Sequence, residues 1–248
     1  MLQAQRLGAH LFSRADAGAH LAHIFSSDLQ RARKTAEAVR DAHRAAAAPV
    51  AVVETADLRE KDFRSSEGKS FRVRRDSVPP PEPREMPETT EEMRARADRF
   101  VETHLQPIFA SNEAVASDHS VVVVAHGLIL GIVLKAILAR YSPTELNRLA
   151  NLGGGGNREY LVAWSNTGYL EALVEPKPPS GAASTRQQEA TISIAVNVIN
   201  CRDHLQGLHR TGGGIGSAKF DDKQKTMDVF FAAASKSKSG ESSRRSDG

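Results

Sequence analysis

The stretch that decides the fold is VVVVAHGLILGIVLKAIL, residues 121–138. Its four valines form a β-branched run without polar alternation, which is typical of a strand covered on both faces of a parallel sheet. A glycine follows at position 127, and the apolar segment after it favours a helix. We therefore predict a buried strand that turns at Gly127 into a helix.

This pattern places His126 at the carboxyl end of a strand, where open α/β sheets bind their ligands. The helix that begins there directs free N–H groups and partial positive charge at that point, so phosphate is the expected ligand. The alternative is a hydrogen-bonded core histidine beside a packing glycine, and this segment alone does not separate the two. A membrane span is not predicted, because His126 and Lys135 interrupt the run and roughly 20 apolar residues are needed.

Composition narrows the remaining possibilities. The chain has 248 residues, 40% of them hydrophobic, which predicts one domain with extensions. A net charge of +3 and a pI near 9.1 give no reason to expect direct nucleic-acid binding. The single cysteine, Cys201, cannot form an internal disulfide, and no secretory leader is recognisable, so an intracellular location is expected.

A second strand-to-helix unit lies near the start of the chain. Ala22 to Phe25 is predicted to form a short strand, Ser26 to Asp28 supplies cap-type residues, and a helix follows from Leu29 to His43. Arg31 falls in the first turn of that helix, where a guanidinium can bind phosphate through two parallel N–H bonds. The alternative for Arg31 is a surface ion pair.

Four motifs in order resemble one known family. SSDLQRARKTA (26–36) resembles S-S-x-L-x-R-A-x-x-T-A, and LREKDFRSSEG (58–68) is similar to L-x-E-x-x-F-G-x-x-E-G. Residues 121–127 resemble a late V-V-x-H-G strand, and residues 166–168 resemble the asparagine turn that opens the last strand. The family is the histidine phosphatase superfamily. The resemblance covers about residues 1–175 and implies a phosphoglycerate-mutase-like, three-layer αβα sandwich with a mostly parallel sheet.

The resemblance also implies roles for individual residues. Arg31 corresponds to a residue that binds the phosphoryl group, together with His126 and Gly127. Glu60 corresponds to the acid that protonates the leaving oxygen, and His126 to a residue that holds the phosphoryl group during transfer. The resemblance implies a small phosphorylated metabolite as ligand, such as a sugar bisphosphate as in the fructose-2,6-bisphosphatase-like branch, with no metal or cofactor. The alternative for Glu60 is a solvated turn carboxylate.

One family motif is missing. The nucleophile in this family is the histidine of an Arg-His-Gly motif at the end of the first strand, and the sequence contains no Arg-His-Gly. Without that imidazole no phosphoenzyme can form, and the sheet is expected to have a gap beside Val121 to Val124. Two explanations stay open: the sequence begins at an internal methionine of a longer active protein, which we favour, or it is a shorter, non-catalytic relative.

The rest of the chain is predicted to be organised as follows. Thr89 and Glu92 form a capping box, followed by a helix whose apolar stripe packs on the core, with His104 off that stripe and solvated. Strands are expected at 159–165, 168–174 and, outside the family's usual boundary, 191–198. The predicted division is a phosphatase-like domain (1–175), a linker (176–189), an extension (190–231) and a disordered tail (232–248).

The extension contains a further motif. Residues 224–231, QKTMDVFF, match Q-x-x-[LIM]-x-x-[FY]-[FY] and resemble the peptide by which replication and repair proteins bind the sliding clamp PCNA. That resemblance implies that Gln224, Met227, Phe230 and Phe231 contact the clamp, and that the protein is nuclear as well as cytoplasmic. The alternative is that the two phenylalanines pack back onto the domain.

Overall fold

The computed structural model of the protein describes residues 1–14, 20–43, 50–64, 86–111, 119–152, 161–177 and 192–208. The α-helices in these ranges are α1 (Leu2–Arg14), α2 (Gln30–Ala42), α3 (Thr90–Phe100), α4 (Gln106–Ala110), α5 (Gly127–Tyr141) and α6 (Pro143–Leu152), and a π-helical turn, Val101–Leu105, joins α3 to α4. The strands are β1 (His20–Ser27), β2 (Val52–Thr55), β3 (His119–Val124), β4 (Tyr169–Pro176) and β5 (Ile192–Cys201). This is the predicted α/β class, with a mostly parallel sheet.

The strands form two sheets. One has three parallel strands in the order β2-β1-β3, and the other is the antiparallel pair β4-β5. In the first sheet Ser26 pairs with Glu54 of β2 and with Val124 of β3. All three strands therefore end at the same edge of the sheet, the edge at which a ligand is expected.

Helices cover both faces of the three-stranded sheet. On one face Ile24 packs with α1 and α2 in a cluster that also contains Val122 and Val124. On the other face Phe25 packs with α3 and α5 in a cluster that contains Val121 and Val123. The alternation of adjacent residues between the two faces is the period-two geometry of a strand, and it produces three layers.

The β4-β5 pair lies against the same helices. Ile192, Ile194 and Val196 are buried with Leu134 and Leu138 of α5. Tyr169, at the start of β4, packs in the cluster of Val122 and Val124. The predicted strand at 191–198 is thus confirmed as β5, and it belongs to the packed core.

Several sequence predictions need correction. Ser26 and Ser27 lie inside β1 and are fully buried, and the N-cap of α2 is Leu29, which has no side-chain cap bond. No strand forms within 161–165, the described part of the predicted strand 159–165. His104 is half-buried between aromatic rings, with its ring centroid 5.1 Å from that of Phe25.

Other predictions are confirmed with shifted bounds. The Thr89–Glu92 capping box is present at the start of α3. The helix predicted from Leu29 to His43 is α2, and the helix predicted after Gly127 is α5. Strand β3 is half-buried rather than fully covered, because β1 pairs with only one of its edges and no strand of the described residues pairs with the other.

Within the described ranges, none of the helices combines the length and the apolar character needed to cross a bilayer. The clamp-like residues Gln224, Met227, Phe230 and Phe231 lie outside the described residues.

Candidate active site

His126 lies at the junction of β3 and α5, where it is the N-cap residue of the helix and only 5% exposed. Its Nδ1 accepts a hydrogen bond from Arg31 Nε at 3.1 Å, and its Nε2 lies 3.0 Å from Ser27 Oγ. A guanidinium can only donate, so Nδ1 carries no proton and Nε2–H donates to the serine. The structure thus brings two predicted residues, Arg31 and His126, into direct contact.

Burial keeps this imidazole neutral. Desolvation by burial, followed by the positive charges of Arg31 and Arg96 and partly opposed by Asp28, lowers the pKa of His126 to about 4. A positive field of this kind favours an incoming anion over a proton on the ring.

Ser27 connects the end of β1 to this site. Its Oγ accepts the bond from His126 and also one from Leu29 N–H at 3.3 Å. The side chain therefore anchors the Nε2 side of the imidazole, whose tautomer Arg31 sets, and the entry into α2. We expected only a helix-capping role for Ser27.

Glu60 reaches the site from the loop after β2. Its Oε1 accepts a hydrogen bond from Lys61 N–H at 3.0 Å, and its Oε2 accepts one from Leu128 N–H at 3.3 Å. Leu128 is the residue after Gly127, in the first turn of α5. The carboxylate therefore lies on the helix N-terminus at which a phosphate oxygen is expected.

An ion pair joins the segment before α2, the helix that carries Arg31, to the loop that carries Glu60. Arg59 donates two bonds to the Asp28 carboxylate, at 2.7 and 2.6 Å. These bonds hold the pKa of Asp28 below its usual value despite partial burial. Paired forks of this kind have defined geometry as well as charge, so they fix the spacing of the two loops.

Three polar residues around the site were not predicted to belong to it: Ser27, Glu88 and Arg96. Arg96 of α3 and Glu88 form a largely buried ion pair behind the Glu60 loop. The spacing gave a signal, because Arg96 lies three residues after Met93 and four before Phe100, on the apolar face of the helix. A charge on a buried stripe needs a buried partner.

The chemistry of the arrangement is that of an anion site with one carboxyl group. It combines a guanidinium, a neutral imidazole, a helix N-terminus and the Glu60 carboxylate. Among the described residues, no group of three or more His, Cys, Asp or Glu side chains is placed to hold a metal ion.

Comparisons with known proteins find similar sequences and folds. A fission yeast (Schizosaccharomyces pombe) protein described as a probable phosphatase is 30% identical over 214 residues, covering 84% of this chain. This chain spans 62% of the length of that relative.

Solved structures with a similar fold include a mycobacterial glucosyl-3-phosphoglycerate phosphatase bound to inorganic phosphate. It is 17% identical, with 82% of this chain and 86% of that chain covered and a TM-score of 0.49. A phosphoglycerate mutase from Bacillus anthracis is also 17% identical, with coverages of 58% and 67% and a TM-score of 0.38.

The model of the histidine phosphatase superfamily (branch 1) matches residues 1–155, which include Arg31, Glu60 and His126. The chain belongs to the histidine phosphatase superfamily.

Proposed function

We propose that this chain provides the phosphate-binding and proton-donating part of a phosphatase that acts on a small phosphomonoester. The observation that carries the proposal is the convergence of Arg31, His126 and Glu60 on the N-terminus of α5. Transfer of a phosphoryl group concentrates negative charge on its oxygens and on the leaving group, so fixed donors and one proton source lower the barrier.

The proposal has two finer parts. A sugar bisphosphate such as fructose 2,6-bisphosphate is the proposed substrate class, on the family resemblance alone. We also propose that the chain as written does not turn over, because its sequence has no Arg-His-Gly to accept the phosphoryl group. We propose that a strand carrying that motif, if one were supplied, would pair with the edge of β3 that no strand of the described residues occupies.

Phosphate binding tests the proposed site directly. We expect isothermal titration calorimetry to detect binding of inorganic phosphate, and Arg31→Ala to weaken it by about ten- to a hundredfold, since a charge-assisted bond is lost. Arg40→Ala is the matched control, because Arg40 lies on the same helix and pairs with Asp41. Equal affinity of the Arg31→Ala variant and the wild type would show that the site is assigned wrongly.

A second candidate function is docking on a sliding clamp of the PCNA type. It is favoured by the order of residues in QKTMDVFF, which would present Met227, Phe230 and Phe231 on one side of a helical turn and leave Gln224 to hydrogen-bond the clamp. This function would make the chain an interaction module, and it does not require turnover.

A further inference from the structure

Arg96 and Glu88 form an ion pair that is nearly excluded from water. The side chains are 11% and 9% exposed, and two parallel bonds join them, from Nε to Oε1 at 2.6 Å and from Nη2 to Oε2 at 2.9 Å. A buried pair of this kind adds little net stability compared with apolar residues, but it becomes costly when one partner is removed. The contribution of the Arg96–Glu88 pair is therefore to be sought in the other hydrogen bonds that these two side chains make.

Those remaining bonds all go to the backbone of the loop that carries Glu60. Arg96 Nη1 donates to the carbonyl oxygens of Asp57 and Arg59, each at 2.7 Å, and Nη2 donates to that of Glu60 at 3.3 Å. On the other side of Glu60, Glu88 Oε2 accepts from Asp62 N–H at 3.0 Å, and Glu88 N–H donates to Asp62 O at 2.7 Å. The loop backbone is thus held on both sides of the carboxylate.

The Glu60 side chain between these anchors reaches the first turn of α5, where Oε2 accepts from Leu128 N–H. We infer that Arg96 and Glu88 are positioning residues that hold the Glu60 carboxyl group on the N-terminus of α5. The inference rests on the proposed function for the role of Glu60, and it extends that function by two residues that do not touch the ligand.

A purely structural role for the pair is the competing explanation, and the geometry suggests how to separate the two. Lysine in place of Arg96 keeps the positive charge near His126 but cannot bond the carboxylate and three carbonyls at once. Arg99 is a matched control, because it lies one turn further along α3 and binds the carboxylate of Asp57 at the surface, 60% exposed.

The experiment measures hydrogen exchange of the Leu128 amide by NMR in the full chain. We expect Arg96→Lys to accelerate this exchange about tenfold, nearly as much as Glu60→Ala, because the acceptor is no longer held in place. Arg99→Lys should leave it unchanged, and so should the Phe25 amide in every variant. If Arg96→Lys does not fold, Glu88→Gln removes the charge at the other end and should give the same result.

Coupling provides the decisive comparison. In a Glu60→Ala background, Arg96→Lys should cause no further acceleration of Leu128 exchange. The inference is overturned if Arg96→Lys leaves Leu128 unchanged, or if it accelerates exchange equally with and without the Glu60 side chain. The hydrogen-exchange measurements need no ligand, so they are independent of the phosphate titration. Failure of the titration would contradict the proposed function and not the positioning role of Arg96 and Glu88.

Discussion

At the scale of single residues, His126 determines how the site responds to pH. Its Nδ1 and Nε2 are occupied by Arg31 and Ser27, and its ring is buried. Burial and the neighbouring guanidinium groups lower its pKa to about 4, against an ordinary value of 6.5. Between these pH values the unfolded chain binds a proton that the folded protein does not accept.

The protein should therefore lose stability as the pH falls from about 6.5 towards 4, and the contribution of His126 should be complete only above 6.5. Between pH 7 and pH 5 we expect this group to account for a loss of about 2 kcal/mol in the free energy of unfolding. Urea denaturation of the wild type and of His126→Asn at both pH values measures it. Carboxylates titrate in both proteins, so identical pH dependence of the two would contradict the prediction.

At the scale of secondary-structure elements, the open edge of β3 is the main feature. Its four valines are half-buried, with β1 on one side and, among the described residues, no strand on the other. Helices cover both of its faces, and Tyr169 of β4 packs in the same cluster as Val122 and Val124. The helices on both faces of β3 would also cover a parallel strand added at this edge. Such a strand would end at the sheet edge that holds His126.

We predict that adding an upstream strand with the sequence pattern L-x-x-R-H-G-E restores phosphatase activity. Hydrolysis of 4-nitrophenyl phosphate should rise by about a thousandfold or more over the chain as written, because a covalent acceptor becomes available. The gain should disappear on Arg31→Ala or Glu60→Ala. A strand with alanine for the histidine is the control: it should raise the denaturation midpoint without activity, and activity in that control would refute the prediction.

How far the sequence predicts these elements depends on the range of the interactions involved. The strand at 121–124, the helix from Gly127 and the contact of Arg31 with His126 follow from local patterns and motif order. The roles of Glu88 and Arg96 do not, since they arise only when α3 packs behind a loop some 30 residues away in sequence. Ser26 and Ser27 are residue types that favour helix caps, so the sequence predicts a cap there. They lie inside β1 instead, because their hydroxyl groups find hydrogen-bond partners in the folded protein.

At the scale of the whole molecule, the two packed sheets are separate in sequence from the clamp-like motif at residues 224–231, which lies outside the described residues. The extension strand β5 pairs with β4, and its buried side chains pack against α5. The extension up to β5 is therefore part of the same packed core. A short 3-10 helix, Asp203–Leu205, follows β5, and the residue after it contacts α1, where Arg6 donates to Gln206 O at 2.9 Å. The clamp-like motif comes later in the sequence, and its binding can be measured separately.

A peptide covering residues 219–238 is expected to bind the PCNA-type clamp with about micromolar affinity. Each buried apolar side chain contributes roughly 1.5 to 3 kcal/mol, and the ordering of a flexible peptide offsets part of that gain. Calorimetry against the purified clamp measures it, with the Phe230→Ala, Phe231→Ala double variant as control. Absence of heat, or equal binding by the control peptide, would exclude clamp docking.

The pairing of β1 with β3 also has a consequence for synthesis on the ribosome. His20 is paired in register with His119, so the central strand is made long before its partner. Until residue 119 has emerged, β1 can pair only with β2, and Ile24 and Phe25 lack much of the apolar cover that they have in the finished protein. A sheet built from such distant segments is expected to close slowly, and until it closes the nascent chain exposes apolar side chains and an unpaired strand edge.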